Sequence, residues 1–372
     1  MKVLALSSYP IEAAATRYRL AQFIAPLAER GITLNVRPFI DSHLFAALYN
    51  RSEIPRTTLG LILSAIKRLT DVYAAREADV LLVQREAMMF GPPLLEWLAL
   101  KFGRCPLVLD LDDATYISYT SPTYGRLGSW LKWFSKTDDL ISWAKVVTCG
   151  NSSIAMYVAS KGIRATIIPT VVDTERFHPA NDVADFDPPV LGWVGTHSTF
   201  PYLESIFPAL QKLARSHRFR LKVVGADKQN IDLPGVEVES LSWSLEREVA
   251  DFQSFDIGLY PIIPDQWAAG KSGLKAIQYM AVGIPYVMTP VAVCAEIGEL
   301  GVTHLCASTQ DEWHQSLQTL LSNSERRKHM GSAGRRYATA HYTVSAQADK
   351  LAQALYEAVD ENRQQFANKL AT

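Results

Sequence analysis

The sequence predicts an α/β protein with two doubly wound domains, each built around a parallel sheet. Short apolar runs bounded by turn residues alternate with longer stretches of helical period along the chain. A polar segment closed by two prolines, 178–190, interrupts this alternation once, after which it starts again. The chain has 372 residues, enough for two domains of ordinary size.

The first half is predicted to contain six strands separated by helices. The strands are expected at 3–7, 33–37, 79–84, 107–112, 146–149 and 166–168. The main helical patterns between them cover 16–30, 59–76, 92–102 and 124–143.

The second half repeats this organisation. Strands are expected at 190–194, 221–224, 236–239, 257–260, 286–288 and 304–306, and helices at 203–216, 246–255, 273–282, 311–321, 324–340 and 344–369. We therefore expect an N-terminal domain over 1–180, a C-terminal domain over 181–343, and a terminal helix over 344–372 that packs back on the N-terminal domain. Ligands of such folds bind at the carboxyl ends of strands, so a site is expected in the cleft between the domains.

Composition excludes several classes of protein. With 37 basic and 38 acidic side chains, the net charge of −1 argues against a protein that coats nucleic acid. No apolar run reaches the ~18 residues needed to span a bilayer. The four cysteines are far apart, which favours free thiols in a reducing compartment. We expect a cytoplasmic protein, at most peripheral at the inner face of a membrane.

The loop after the first strand lacks the GxGxxG pattern, which argues against a nicotinamide dehydrogenase. Thr16 is a candidate N-cap, and Arg17 and Arg19 would then lie in the first helical turn. Because the helix dipole disfavours cations there, the two arginines indicate an anion nearby. Solvated arginines on an exposed turn are the alternative.

The segment GKSGLKAIQYMAVGIP, 270–285, is the most informative stretch. A helix that starts near Ser272 would place Lys271, Lys275 and Gln278 on the face opposite its apolar residues. Its N-terminal N–H groups, with Gly273 allowing close approach and two lysines adding charge, would suit a diphosphate. The alternative is a surface helix with solvated lysines. A P-loop is excluded, because Asp265 stands where that motif requires glycine.

Several segments together resemble the group 1 glycosyltransferases of the GT-B fold. They are IIPTVVDTERFHP (167–179), LGWVGT (191–196) and FDIGLYPI (255–262) followed by GKSGLKAIQYMAVGIPYV. The resemblance implies two Rossmann-like domains that face each other across a cleft. It also implies that the C-terminal domain binds a nucleotide sugar through Gly195, Thr196, Gly270, Ser272, Gly273, Leu274 and Gln278.

The sequence departs from the family pattern at two positions. The family usually has glutamates where this chain has Gly270 and Gln278. Gln278 could still hold the ribose through its carbonyl, whereas Gly270 has no side chain to contact the donor sugar. The family also tends to place Arg and Lys in the loop after the first strand of the C-terminal domain, where this chain has only His197, so Lys271 and Lys275 would carry the diphosphate charge instead. These departures indicate a divergent subgroup or a chain that has lost activity.

Three aspartates, Asp110, Asp112 and Asp113, lie at the end of the strand predicted at 107–112. A metal site and aspartates that hydrogen-bond a loop are both open interpretations. The resemblance favours catalysis without metal and places Asp112 closest to the donor sugar. The catalytic candidates are therefore Lys271, Lys275 and Asp112, with no metal ligands.

Aromatic and basic residues are interleaved over 116–136. The helical spacing of Trp130, Trp133 and Phe134 is typical of a core. The alternative is an amphipathic face near the acceptor or an anionic membrane surface.

Together these features predict a glycosyltransferase, and the resemblance implies that it retains the anomeric configuration, needs no metal and acts in polysaccharide or glycoconjugate biosynthesis. A UDP- or GDP-sugar would be its co-substrate, with no tightly bound cofactor. Its acceptor would be a glycan, a lipid-linked molecule or a small molecule, with Arg17 and Arg19 on the acceptor or sugar side. No nucleic-acid partner is expected. The alternatives are a GT-B-fold sugar-nucleotide epimerase and a non-catalytic nucleotide-sugar-binding or scaffold protein.

Overall fold

The computed structural model describes residues 1–48, 51–120, 125–180, 187–228, 230–266, 268–291 and 296–371, with side chains except at 51 and 365–371. The chain forms two compact units. Unit 1 comprises Met1–Thr170, the three residues Gly270–Ser272, and the chain from Val344 onward. Unit 2 comprises Val171–Ala269 and Gly273–Thr343.

Unit 1 is built around a six-stranded sheet whose strand pairs are all parallel. Its strands are β1 (Lys2–Ser7), β2 (Thr33–Pro38), β3 (Val80–Gln84), β4 (Leu107–Leu111), β5 (Ala144–Cys149) and β6 (Ala165–Ile167). They lie in the order β2-β1-β3-β4-β5-β6. Every residue of β3 and β4 is buried, which explains why both strands are continuous rather than alternating apolar runs.

Helices connect these strands, as parallel pairing requires. They are α1 (Ala14–Arg19), α2 (Ile24–Ala28), α3 (Ser42–Ala47), α4 (Ile54–Ala74), α5 (Leu94–Gly103), α6 (Gly125–Lys132), α7 (Lys136–Trp143) and α8 (Ser152–Ser160). The last helix of the chain, α15 (Val344–Ala371), also belongs to unit 1 and packs against β5.

Unit 2 contains the second six-stranded sheet, again parallel in every pair. Its strands are β7 (Val190–Val194), β8 (Arg220–Val224), β9 (Glu237–Leu241), β10 (Ile257–Tyr260), β11 (Tyr286–Met288) and β12 (His304–Cys306), in the order β12-β11-β10-β7-β8-β9. Its helices are α9 (Phe200–Glu204), α10 (Phe207–Ala214), α11 (Glu248–Gln253), α12 (Leu274–Ala281), α13 (Gln310–Leu321) and α14 (Ser324–His341).

The predicted fold class is confirmed, since each predicted strand overlaps one of the twelve observed in the described residues. The helix expected at 16–30 is divided into α1 and α2 by a 3₁₀ turn, Ala21–Phe23. The prediction of Thr16 as an N-cap was wrong, because α1 begins at Ala14 with Ala13 at the N-cap. Arg17 and Arg19 therefore lie in the last turn, where the helix dipole favours cations.

The interpretation of 116–136 as core does not hold for its tryptophans. Trp130 is 69% exposed and Trp133 43% exposed. Tyr124, at the start of the predicted helix, lies outside the described residues.

The cysteines that the structure describes are Cys105 and Cys149, both buried, and the partly buried Cys306. All three are free thiols. Cys294 lies outside the described residues. Across the part of the chain that the structure describes, no helix is long and apolar enough to cross a bilayer.

Candidate functional site

The topology indicates where ligands should bind in each unit. The order of the strands reverses between β1 and β3 in unit 1, and between β7 and β10 in unit 2. At such a switch point the connections leave on opposite sides of the sheet and open a crevice at the carboxyl ends of the strands. The residues that follow β3, β4 and β7, together with the start of α12, are therefore the first candidates.

In unit 1, Arg85 and Asp112 form a bidentate ion pair where β3 and β4 end. Arg85 donates from Nε to Oδ1 of Asp112 at 2.5 Å and from Nη2 to Oδ2 at 2.8 Å. Gln84 donates to the same Oδ1 atom at 2.9 Å. Arg85 has a left-handed backbone with φ of 62°, and its side chain is 23% exposed. The pair thus holds a partly accessible guanidinium at the strand ends.

The charge state of Asp112 follows from this partner. Burial acts to raise the pKa of Asp112, but the charge and hydrogen bonds of Arg85 outweigh it and the pKa is lowered. Asp112 is therefore a carboxylate at neutral pH, and it accepts hydrogen bonds from Arg85 and Gln84. This differs from the expectation that Asp112 itself faces a sugar: it orients Arg85.

Asp113 has a different environment. Burial raises its pKa, whereas the charges of Arg85 and Lys271 act in the opposite direction without cancelling the rise. Lys271 thus lies close enough to the end of β4 to influence a carboxyl there. Its backbone is fixed in unit 1, because Asn151, after β5, donates to the carbonyl oxygen of Lys271 at 3.1 Å.

The structure gives a physical reason for the missing side chain at Gly270. A Cβ atom placed on Gly270 would lie 2.3 Å from Cβ and 2.6 Å from the backbone nitrogen of Ala114. Contacts this short require the backbone to move, so a glutamate does not fit where the chain passes this closely. The departure from the family pattern at this position is a consequence of close backbone packing.

Arg19 and Arg17 are both buried, 3% and 6% exposed. Arg19 donates to both carboxylate oxygens of Asp110, at 3.0 and 2.5 Å, and to the carbonyl of Ile168. Arg17 donates to the carbonyls of Ile11 and Glu12, both at 2.9 Å. These contacts differ from the expected position beside an acceptor or sugar. The cations instead stabilise the interior and the first loop, and their position in the last helical turn removes the reason to infer an anion.

In unit 2, α12 begins at Leu274, and Gly273 occupies its N-cap with a left-handed φ of 66°. Ser272 precedes the cap and is partly buried, as is Leu274. Lys275 lies in the first turn, where the helix N–H groups have no intrahelical partner. Its Nζ is 5.5 Å from the centre of the Phe252 ring. A helix start with a cation beside it is favourable for a phosphate group.

Gln278 is fully buried, although the helical period places it on the same face as the lysines. Its Oε1 accepts from Nζ of Lys275 at 3.1 Å, and its Nε2 donates to Oε1 of Glu248 at 3.4 Å. Glu248, buried on α11, also accepts from Arg176 at 3.3 Å. The four side chains form a connected polar cluster with two cations and one carboxylate, which leaves a net positive charge beside the start of α12.

Gly195 and Thr196 follow β7 in a loop that turns tightly. The backbone N–H of Thr196 donates to Oγ1 of Thr199 at 2.9 Å, and the N–H of Gly195 donates to the carbonyl of Val224. A Cβ on Gly225, after β8, would lie 2.4 Å from the carbonyl oxygen of Gly195. The two strand ends are thus held in direct contact, with the Thr196 side chain exposed.

Arg85, Arg176, Glu248 and Asn151 were not among the sequence predictions. The sequence could have indicated Arg85, because it is a cation that directly follows a buried strand, and that strand lies at the switch point. For Arg176 and Glu248 there was no such indication, because their contact joins positions 72 residues apart. Within the described residues, no group of three His, Cys, Asp or Glu side chains is arranged to hold a metal ion.

The two six-stranded parallel sheets match the fold of GT-B glycosyltransferase structures. The family model described as "Glycosyl transferases group 1" matches residues 188–323, a stretch that contains Gly195, Lys275 and Gln278. The resemblance predicted from the motifs is confirmed over this stretch. No curated protein sequence matches the chain.

Solved structures with the same fold cover nearly the whole chain. Anabaena Alr3699/HepE in complex with UDP-glucose is 17% identical, with a TM-score of 0.68 over 96% of this chain and 99% of that one. Sucrose-phosphate synthase from Thermosynechococcus elongatus is 15% identical, with a TM-score of 0.67 over 99% and 100%. A glycosyltransferase from Rickettsia africae is 14% identical, with a TM-score of 0.67 over 96% and 98%. At these identities the likeness establishes the fold.

Proposed function

We propose that this protein is a glycosyltransferase that moves a sugar from a nucleoside diphosphate donor to an acceptor hydroxyl. The observation that carries the proposal is the start of α12, where a left-handed Gly273 and the Lys275 cluster lie inside the stretch that matches the group 1 family model. The complex of the HepE protein with UDP-glucose adds support, since that protein has the same fold.

In this proposal the donor diphosphate binds at the first turn of α12. Lys275 neutralises part of its charge, and the buried Gln278 fixes Lys275 through its Oε1 atom. Lys271, four residues earlier, supplies a second cation, and Ser272 adds a hydroxyl. Gly195 and Thr196 supply backbone and hydroxyl groups after β7. The role of position 278 in holding the ribose remains a prediction from the resemblance.

The chemistry that follows is electrostatic. Negative charge develops on the departing diphosphate, and cations fixed before the reaction lower its energy without further reorganisation. In unit 1, Asp112 holds Arg85 in position, so that Arg85 offers a cation at the end of β3. We do not assign Arg17 or Arg19 to substrate, because the interior contacts described above occupy them. Transfer without a metal and with retention is part of the proposal, on the strength of the family resemblance.

The donor, the acceptor and the cellular setting are likewise proposed from the family resemblance. A UDP- or GDP-sugar would be the donor, and a glycan, a lipid-linked molecule or a small molecule the acceptor. The setting would be cytoplasmic biosynthesis of a polysaccharide or glycoconjugate.

Turnover of the lysine variants tests the proposal. Nucleotide release from UDP- and GDP-sugars is measured with a panel of acceptors, with and without EDTA. Removal of one preorganised charge donor should lower kcat by about 10²–10³-fold in Lys275→Ala and in Lys271→Ala. Lys212→Ala is the matched control, since Lys212 is 55% exposed and pairs with Asp311 on the surface. Full turnover in both test variants would remove the two lysines from the mechanism, and donor binding without transfer to any acceptor would identify a non-catalytic binding protein.

A further inference from the structure

Helix α4 of unit 1 buries polar side chains and exposes apolar ones, which is the reverse of an ordinary surface helix. Its fully buried side chains are polar: Thr57, Arg68 and Asp71. Its exposed positions carry large apolar side chains, namely Leu59 (59% exposed), Ile62 (51%), Leu63 (57%), Ile66 (59%), Leu69 (52%) and Tyr73 (66%). We call these six residues the α4 stripe.

The buried polar face has a structural purpose. Arg68 pairs with Asp71 at 2.8 Å and donates to the carbonyls of Ser7, Arg37 and Ala87. It therefore ties α4 to two strand ends and to the segment after β3. The internal contacts of α4 are thus supplied by this polar network and by Leu61 and Ala65, which pack against the Phe39 cluster, and the α4 stripe is not needed to attach the helix.

The spacing of the α4 stripe makes it one continuous surface. Its members follow one another at intervals of three, one, three, three and four residues. At 100° per residue these positions fall within about a third of the circumference of the helix. The stripe is thus an apolar band along the outer side of a 21-residue helix.

The exposed apolar residues are concentrated in unit 1, on α4 and on the two helices that follow it in the chain. Of the 23 large hydrophobic side chains exposed in the described part of the chain, 13 lie on α4, α5 and α6, and only three lie in unit 2. α5 packs against α4 and contributes Trp97 (46% exposed), and α6 contributes Trp130 (69%). Exposed patches of this kind mark interaction sites rather than ordinary surface.

The exposed charged side chains within α4, α5 and α6 are all basic. Arg56, Lys67, Lys101 and Arg126 are exposed, and the turn after α4, Ala75–Glu77, carries one exposed residue of each sign, Arg76 and Glu77. The acidic residues within α4 and α5 are buried: Asp71 is 6% exposed and Glu96 1% exposed. α6 contains no acidic residue. Glu53, which contacts Arg56 at 3.5 Å, and Glu77 lie outside the helix ends.

We propose that the α4 stripe docks this protein on the surface of an anionic lipid bilayer. A band of apolar residues along one helix face, flanked by Lys and Arg, is the combination that binds in the headgroup region of a membrane. Two copies of the chain joined through this surface would bring its basic residues together, and like charges oppose that contact. The charge therefore selects anionic lipid over a second copy. The docking goes beyond sugar transfer and does not depend on it.

Vesicle binding tests the proposal without any donor or acceptor. The full chain is sedimented with phosphatidylcholine vesicles that contain 30% phosphatidylglycerol, and with vesicles of phosphatidylcholine alone. We expect binding to the anionic vesicles that falls more than tenfold in Ile62→Glu/Ile66→Glu. Met156→Glu is the matched control, because Met156 is 66% exposed on α8 of the same unit. It should bind as wild type does.

The charged residues provide a second variant that leaves the apolar band intact. Lys67→Gln/Arg76→Gln should weaken binding to the anionic vesicles about fivefold for each residue removed, and added salt should remove this difference. Equal binding by wild type and both double variants, or no binding by wild type, would overturn the proposal. So would a dimer in analytical ultracentrifugation that Ile62→Glu/Ile66→Glu dissociates while vesicle binding is absent. Because no assay uses a nucleotide sugar, failure here leaves the proposed function to be judged separately.

Discussion

Substitution of Gly270 by alanine tests the placement of the segment that carries Lys271. The new Cβ would lie 2.3 Å from Cβ of Ala114 and 2.6 Å from its backbone nitrogen. Ordinary carbon–carbon contacts are about 3.5–4.0 Å, so one of the two backbones must move by about 1 Å or more. Because the nearby atoms include backbone, rotation of a side chain cannot relieve the overlap.

This displacement has two expected consequences. Overpacking of this kind costs about 1–3 kcal/mol of unfolding free energy. A shift of about 1 Å in a positioning group can cost on the order of 10²-fold in turnover, and the hydrogen bond from Asn151 to Lys271 would be stretched at the same time. We therefore expect Gly270→Ala to lower kcat by about two orders of magnitude, with a Tm lower by several degrees.

A second substitution separates the close contact from other effects. Ala114→Gly removes the Cβ that lies 2.3 Å away but leaves the backbone nitrogen at 2.6 Å. The double variant Gly270→Ala/Ala114→Gly should therefore regain part of the lost turnover and stability. Turnover is measured as nucleotide release, and stability by thermal unfolding. Wild-type values of both in Gly270→Ala alone would refute the described path of the chain at 270–272.

Two further predictions concern buried charge. Asp112→Asn should lower the unfolding free energy by up to about 3 kcal/mol at pH 7, because it leaves the Arg85 guanidinium with only its longer contact to Asp113, at 3.6 Å. Burial alone would raise the pKa of Asp112, but Arg85 lowers it, so the pair stabilises the fold fully above the unfolded pKa of about 4. This contribution is lost as the pH falls through the folded pKa. The difference in unfolding free energy between wild type and variant, measured with urea, should therefore be smaller at pH 3 than at pH 7. Burial lowers the pKa of His304, stacked on Tyr286, to about 4, so wild type should lose about 2 kcal/mol between pH 7 and pH 4 as the unfolded chain takes up the proton first. His304→Phe keeps the stacking and should flatten that pH dependence, whereas an unchanged slope would contradict the assignment.

The sheets could be predicted well because their strands are short buried runs between turn residues. β3 and β4, for example, lie in the middle of a sheet and are apolar on both faces, which a local pattern reveals directly. The long helical period at 16–30 was less informative. Period alone does not indicate that the chain turns at Ala21–Phe23, nor that Ala13 rather than Thr16 begins the helix.

The candidate site could be predicted only where its residues are neighbours in sequence. Lys275 and Gln278 share α12, and the helical period gives their relative positions, whereas Lys271 lies before the N-cap of that helix, outside the period that was predicted to include it. Gln278 is fully buried and donates to Glu248, 30 positions away, so the period assigned it to the wrong environment. The pairing of Arg19 with Asp110, 91 positions apart, was equally inaccessible. Long-range polar pairing is decided by the fold rather than by local pattern.

The central claim is that the chain binds a nucleotide sugar at the start of α12. Thermal unfolding measured with UDP-, GDP-, ADP-, dTDP- and CMP-linked sugars tests it most directly, with Lys275→Ala beside wild type. Ligand at about 100 times its Kd stabilises the folded state by ~2.7 kcal/mol, which raises Tm by several degrees. We expect such a rise for the sugars of one base in wild type and its loss in Lys275→Ala. An unchanged Tm with every sugar, or an equal rise in the variant, would contradict it.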